Sequence, residues 1–491
     1  MTPLTRLALL GAALAAPLLA AGAQDAATLA RLRDEGMNRS QAPALFDHLT
    51  TVIGPRLTGS PAFKQAVDWA AQTMRGYGLA NVHLEAWPFG RGWTLEGQTA
   101  EMTAPRYMPL IAYAAAWSPS TRGTITGRPV YIGDLANADS VRAHAAAIRG
   151  AIVLATKPQE LFITKDRLQP TEHDTPVPIG QPRPNNAPGP LPRAALQQTL
   201  HDLGAAAVLR PTEGSEGTMF VLGSRTSTPA NAVPSLVVSS EQYNLLVREL
   251  GDGVRPTLRV EVRARYHTAD TSGYNVIGEI PGTDPAVGDE VVLLGAHVDS
   301  WHSATGAADN ADAVAELLEA MRILKATGVR PRRTIRAAIW GGEEQGLLGS
   351  KAYAQAHYAG DANARAREKL YVYLNNDPGT GPIYGWYAEG NAAAKAVLDE
   401  WLAPFRDLGA RRNVMEKIGN TDHLSFTALG LPGFNTIQDY TEYDTRVHHT
   451  NMDFAERVPA EGLKQAATVL ASFAYQAATR EGAFPRTGTT P

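Results

Sequence analysis

VVLLGAH, residues 291–297, is apolar from end to end and closes on a histidine. A short run without polar alternation reads as a strand buried on both faces of a parallel sheet. His297 then emerges at the strand's carboxyl end, the rim where open α/β sheets gather ligands because loops converge there over a rigid scaffold. NVIGEI (275–280), TIRAAIW (334–340), LYVYLNN (370–376) and GFNTIQ (433–438) share this texture, with amphipathic helices between them. One such helix is DNADAVAELLEAMRIL (309–324), whose Val314, Leu317, Leu318, Met321 and Leu324 recur at helical spacing. Beyond Tyr274 the chain therefore predicts an α/β domain with a mixed, largely parallel central sheet flanked by helices.

Polar groups of one chemical kind stand at the ends of these strands. Asp309 and Asn310 open the helix just described, where a short polar side chain commonly serves as a cap. WGGEEQGLLGS (340–350) sets Glu343 and Glu344 directly after a buried strand, with Ser350 as the expected cap of a following helix. Asp377 follows LYVYLNN, and His449 lies in HHTNMD (448–453). Two divalent ions about 3.5–4 Å apart need a carboxylate between them to offset their repulsion. Asp309 suits that bridge better than a plain cap, given what surrounds it. His297, Glu344, Asp377 and His449 would complete nitrogen and oxygen shells that leave room for water or substrate. Glu343 stays free to act as general base toward a metal-activated water. Asp299, two residues past His297 on the same side of an extended chain, is expected to accept the other imidazole N–H, unless it makes only a surface salt bridge.

Working outward, 491 residues exceed what one hydrophobic core usually supports, so two domains or a large insertion are expected. Charged residues make up 19% and apolar ones 44%, the profile of a compact globular chain. The formal net charge is -4 and the basic residues are scattered, which leaves no footprint for nucleic acid. Residues 1–23 read as an export signal: Arg6, the apolar LALLGAALAAPLLA, then Ala21-Gly22-Ala23 as a small-residue cleavage site. Gly11 and Pro17 interrupt that run, which argues against a membrane anchor, and no later stretch is apolar enough to span a bilayer. A periplasmic or secreted protein without membrane contact after signal removal is expected. The absence of cysteine removes disulfides and thiolate chemistry together.

Residues 24–95 read as the N-terminal part of the catalytic domain, with helices around a turn at IGPRLTGSP (53–61) and an apolar stripe of Ala66, Trp69, Ala70, Met74 and Leu79. From 96 to 264 short β-like runs such as RPVYIGD, GAIVLAT and PSLVVSS mark an inserted β-rich module. Its proline-dense stretch at 169–192 reads as an exposed loop, either a cover for the site or a surface excursion. The catalytic core occupies 265–478, and 479–491 is expected to be a flexible tail.

GAHVDSW, Asp309 twelve residues after His297, WGGEEQG, YLNND, TDHLSFTALGLPG and HHTNMD come one after another in a known order. In that order the chain resembles the co-catalytic di-zinc exopeptidases, which include bacterial leucyl aminopeptidases and carboxypeptidase Q. The resemblance spans most of 266–475, and IGPRLTGSP and the middle module are similar to the family's N-terminal segment and inserted protease-associated domain. It implies the zinc exopeptidase fold and two zinc ions, one held by His297, Asp309 and Asp377, the other by Asp309, Glu344 and His449, with Glu343 as base. Of the adjacent histidines, His449 matches the family's ligand, although Asp453 falls one position beyond the family's acidic residue; His448 takes the place before the ligand. The resemblance also implies a cis peptide between Asp309 and Asn310. Asp422 and His423 divide between pocket and structural roles, as do Trp301 and Trp386 between substrate wall and core.

The expected activity is hydrolysis of a terminal peptide bond of short peptides, as an aminopeptidase, with a carboxypeptidase Q-like dipeptidase as the alternative. A receptor on the same fold with a dead centre is a third reading, disfavoured by the intact ligand set. No G-x-S-x-G elbow, HExxH pair, phosphate loop or dinucleotide fingerprint occurs; GTGPIYG (379–385) has the wrong glycine spacing. Direction of attack, side-chain preference, native metal and oligomeric state, a homodimer included, are left open by the sequence.

Overall fold

A computed structural model of the chain describes residues 25–180 and 192–486. Residues 1–23, expected above to be an export signal, residues 181–191 of the proline-rich stretch and residues 487–491 lie outside them.

The central sheet has seven strands: β1 (Ala80–Pro88), β2 (Ser272–Ile280), β3 (Val291–His297), β4 (Thr334–Trp340), β5 (Leu370–Asn375), β6 (Thr380–Tyr387) and β7 (Gly433–Asp439). Their spatial order is β1-β2-β4-β3-β5-β7-β6. The inner strands β4, β3, β5 and β7 run parallel, while β1, β2 and β6 join antiparallel. The expected mixed α/β sheet is therefore observed. β1 and β6 were not legible as strands: β1 carries half-exposed polar residues, and β6 begins TGPIYG, a pattern that reads as turn. An edge position is where a strand tolerates proline, whose nitrogen donates no ladder hydrogen bond.

Every residue of β3 is buried, and the reason is a layer on each face. Val292, Leu294 and Ala296 pack with Val67 and Ala70 of α1 (Pro61–Gly76), Val314 and Leu318 of α2 (Asp312–Ala326), and α4 (Ala460–Thr479). Val291 and Leu293 face the other way, into Trp340, Tyr353 of α3 (Leu348–Tyr358), Tyr373 and Phe426. Each fully buried leucine contributes on the order of 1.5–3 kcal/mol. Gly295 admits this packing, since a Cβ there would lie 2.3 Å from the Tyr373 hydroxyl. The Ser60 side chain accepts from the Phe63 N–H and Pro61 takes the first turn, which fixes where α1 starts. Ser350 is not the predicted cap of α3: it sits inside the helix, its hydroxyl paired with that of Ser425 at 2.8 Å.

The middle of the chain forms two further sheets. One has four strands, in the order Met108–Pro109, Gly92–Ala104, Thr257–His267, Ile125–Gly127. The other has five, in the order Ala112–Ala114, Ser235–Val238, Ala207–Pro211, Ile152–Leu154, Pro129–Tyr131. The boundaries at 96 and 264 need correction, because they cut through two paired strands whose ladder runs from Gly92↔His267 to Ala104↔Thr257. A flexible tail from 479 is also corrected. Phe484 is buried against Tyr371, Trp401 and Phe434, and Arg486 donates to the Leu370 carbonyl at 2.7 Å.

Candidate metal centre

Parallel strands put their carboxyl ends on one rim, and each inner strand delivers part of the candidate site there. His297 ends β3, opposite Trp340 of β4. Glu343 and Glu344 come after β4, Asp377 after β5, and the chain beyond β7 runs on to His448 and His449. Asp309 comes from the segment between β3 and α2. Asp309 and Asn310 have non-helical backbones, α2 begins only at Asp312, and the Asp309–Asn310 peptide is cis, as the resemblance implied. The helix-cap role for Asp309 is thereby set aside.

The two oxygens of Asp309 face different imidazoles. Oδ1 lies 3.3 Å from His297 Nε2, and Oδ2 lies 3.5 Å from His449 Nε2. His297 Nε2 is also 3.9 Å from Asp377 Oδ1, while His449 Nε2 is 2.8 Å from Glu344 Oε2. His297, Asp309 and Asp377 offer ligand atoms all within 4.8 Å of one another. These residues, drawn from five separate segments, meet around one carboxylate. Glu343 joins Asp309, Glu344, Asp377, His448 and His449 in lining a cleft of about 610 Å³.

Asp299 does something other than expected. The partner of His297 Nδ1 is the main-chain carbonyl of Asp299 at 3.0 Å, with the carboxylate farther away at 3.6 Å. A carbonyl only accepts, so Nδ1 carries a proton and Nε2 is the ring nitrogen turned toward Asp309. The Asp299 carboxylate instead accepts the backbone N–H of Glu343 at 3.1 Å and of Glu344 at 3.3 Å, and the Thr58 hydroxyl at 2.9 Å. It orients the glutamate turn. Thr58 belongs to IGPRLTGSP, and so does Arg56, a fully buried guanidinium that donates to the carbonyls of Gly54, Val298, Thr305 and Gly306. Burial lowers Arg56 to about 10, and four surrounding aspartates oppose that fall.

Asp453, one position off the family pattern, supports the centre from behind: it accepts the N–H of Ala308 at 2.8 Å and of Asp309 at 3.2 Å. Asp422 is buried but does not line the cleft; burial pushes it up to about 7. His423 is buried with Nδ1 2.5 Å from the Thr421 hydroxyl. Trp386 is core, stacked on Phe473, whereas Trp301 packs edge-on to His449 with ring centres 6.1 Å apart. The described part of the proline-rich stretch contributes Ile179 and Gly180 to the cleft wall. Arg167, a cleft residue with no motif around it, was not anticipated from the sequence.

The donor set fits divalent cations. Among the described residues, His297 Nε2, Asp309 Oδ2 and Glu344 Oε1 are buried and meet no hydrogen-bond partner, an expensive arrangement for polar atoms unless another charge meets them. Burial pushes Glu343 and Glu344 well above the carboxylate range, neighbouring carboxylates adding to the rise and His297 opposing it. Burial would also raise Asp309, but His297 and His449 hold it below its ordinary value. Nitrogen and carboxylate oxygen together suit zinc and its neighbours.

Residues 275–474 match the model of peptidase family M28. The chain is 26% identical over 440 residues to carboxypeptidase Q of Pongo abelii, covering 89% of this chain and 85% of that one. It is 27% identical over 248 residues to aminopeptidase YwaD of Bacillus subtilis, covering 48% and 51%. A peptidase M28 precursor from Shewanella amazonensis superposes with a TM-score of 0.71 at 25% identity, over 95% of this chain and 99% of that one. BSAP, a zinc aminopeptidase from Bacillus subtilis, shares the fold at a TM-score of 0.60 and 21% identity, over 90% and 95%.

Proposed function

Residues 275–474 belong to peptidase family M28, a family of metallo-exopeptidases, and from that premise we propose that the protein is an exported two-zinc exopeptidase of short peptides. The observation that carries the two-ion reading is Asp309, whose separate oxygens address His297 and His449 at 3.3 and 3.5 Å. His297, Asp309 and Asp377 would hold one ion, and Asp309, Glu344 and His449 the other. Bound there, zinc supplies Lewis acidity, polarising the scissile carbonyl and acidifying water.

The remaining chemistry belongs to side chains. Glu343 takes a proton from the attacking water and returns it to the departing amine nitrogen. Glu343 lines the cleft beside Glu344 and Asp377 and is not among the ligands named above, so its carboxylate is free to hold that proton. Asp299 keeps Glu343 and Glu344 in place through their backbone N–H groups. The unit at 92–267 is read as a protease-associated insert, and residues 1–23 as the export signal.

Cleavage at the amino terminus is the first reading. A dipeptidase of the carboxypeptidase Q kind is favoured by one observation: Lys417 lines the cleft, where a substrate's terminal carboxylate would meet it. Peptides blocked at either end, assayed with and without chelator and zinc, test both. Hydrolysis that needs a free amino end and zinc supports the aminopeptidase; loss on amidating the carboxyl end supports the dipeptidase. Undiminished hydrolysis in chelator, or none of any peptide with zinc bound, rejects the proposal.

A further inference from the structure

The loop that carries His448 and His449 is gripped from two sides by the middle unit. On one side, Asp166 accepts the backbone N–H of Glu442 and of Thr445, each at 2.9 Å, and the Thr445 hydroxyl at 2.9 Å. Arg167 next to it forms a two-pronged pair with Asp444, Nε to Oδ2 at 2.8 Å and Nη2 to Oδ1 at 2.6 Å, and its own backbone N–H also reaches Oδ2 at 2.8 Å. The same guanidinium lies over the rings of Tyr440 and Tyr443, 5.0 and 5.1 Å from their centres. Gln169 completes this side by donating to the Gln438 carbonyl at 3.1 Å and accepting from the Tyr440 N–H at 3.3 Å.

On the other side, Phe220 bridges Thr450 in antiparallel fashion and the Val221 N–H donates to the His449 carbonyl at 3.1 Å. Met219 and Asn451 exchange hydrogen bonds, the Met219 N–H to Asn451 Oδ1 at 2.7 Å and the Asn451 N–H to the Met219 carbonyl at 3.0 Å. His449 has a backbone φ of 65°, a left-handed conformation that a non-glycine residue adopts only when its surroundings impose it.

We propose that this grip, with Arg167 at its centre, sets the affinity of the cation position that uses His449, by holding that imidazole in register with Asp309 and Glu344. The inference rests on the two-ion reading above. Arg167 is a positioning residue: it acts through Asp444 and the loop rather than on the ion. The pair is buried, with side-chain exposures of 6% and 0%, so removing the guanidinium breaks a desolvated two-pronged contact and loosens the loop. The position built on His297 and Asp377 lies on strand ends of the central sheet and does not depend on this contact, so the two ions should respond unequally. Two domains would then share one centre, the core supplying the ligands and the middle unit their fixity.

The test is a stepwise zinc titration of the metal-free full-length chain, wild type against Arg167→Met and Arg167→Lys, with amide hydrogen exchange read over residues 443–450. Expected are one ion bound as in wild type and one weakened at least tenfold in Arg167→Met, a smaller loss in Arg167→Lys, and faster exchange in the loop. Two ions bound with wild-type affinities in both variants, or both ions weakened equally in the charge-conserving Arg167→Lys, would overturn the proposal. A wild-type chain that takes up a single ion would instead refute the two-ion reading on which it stands.

Discussion

Asp453 holds the main chain of Asp309: its carboxylate accepts the Ala308 and Asp309 N–H groups at 2.8 and 3.2 Å, while the Asp309 side chain faces the two imidazoles. The residue that carries the bridging geometry is thus fixed from a segment far along the chain. Asp453→Ala leaves two buried donors unmet, at a cost of about 1–3 kcal/mol each. Expected is a loss of roughly 2–6 kcal/mol in urea unfolding of the metal-free protein. An unchanged midpoint would show that these bonds do not hold the segment.

Glu343→Gln keeps shape and hydrogen-bonding reach but cannot take a proton. Turnover should fall by about 10²–10⁴-fold, the usual worth of general acid–base catalysis, with zinc content and thermal midpoint retained. Near-normal kcat in the variant would remove Glu343 as base.

Asp309→Ala should lower zinc stoichiometry and the thermal midpoint together, because ions that bind only the folded chain stabilise it. Chelation of the wild type should reproduce the effect, and zinc at about a hundredfold its dissociation constant should restore roughly 2.7 kcal/mol for each site. Metal analysis that finds the variant fully loaded would reject Asp309 as the bridge.

A pH effect is expected from His302, which donates from Nε2 to the Ala114 carbonyl at 2.8 Å and whose ring burial lowers to about 4 from an ordinary 6.5. Between those values the unfolded chain binds a proton that the folded chain refuses. Stability contributed by neutral His302 is thus complete above pH 6.5 and declines as pH falls toward about 4, by about 1.4 kcal/mol per unit. His302→Gln, compared with wild type by melts of the chelated protein across that range, should show the shallower slope. Parallel slopes would count against it.

Much of the centre was legible because each residue stands at a locally visible boundary: His297 at the end of an apolar run, Glu343 and Glu344 after TIRAAIW, Asp377 after LYVYLNN. A strand buried on both faces announces itself by unbroken apolarity, and the residues after its last one must turn at the sheet's rim. β1 and β6 escaped because an edge strand is half exposed or tolerates glycine and proline, which blurs both signals.

The sequence by itself determined the α/β core, the order of its inner strands along the chain and the set of candidate metal ligands, since periodicity and residue type are written locally. Only the tertiary structure decided that Asp299 serves the glutamate turn rather than the imidazole, that Asp453 fixes Asp309, and that Arg167 reaches Asp444 across 277 positions. Such pairs form between segments with no shared period or spacing. Their energy comes from burial and close partnering in space, which no stretch of chain carries alone.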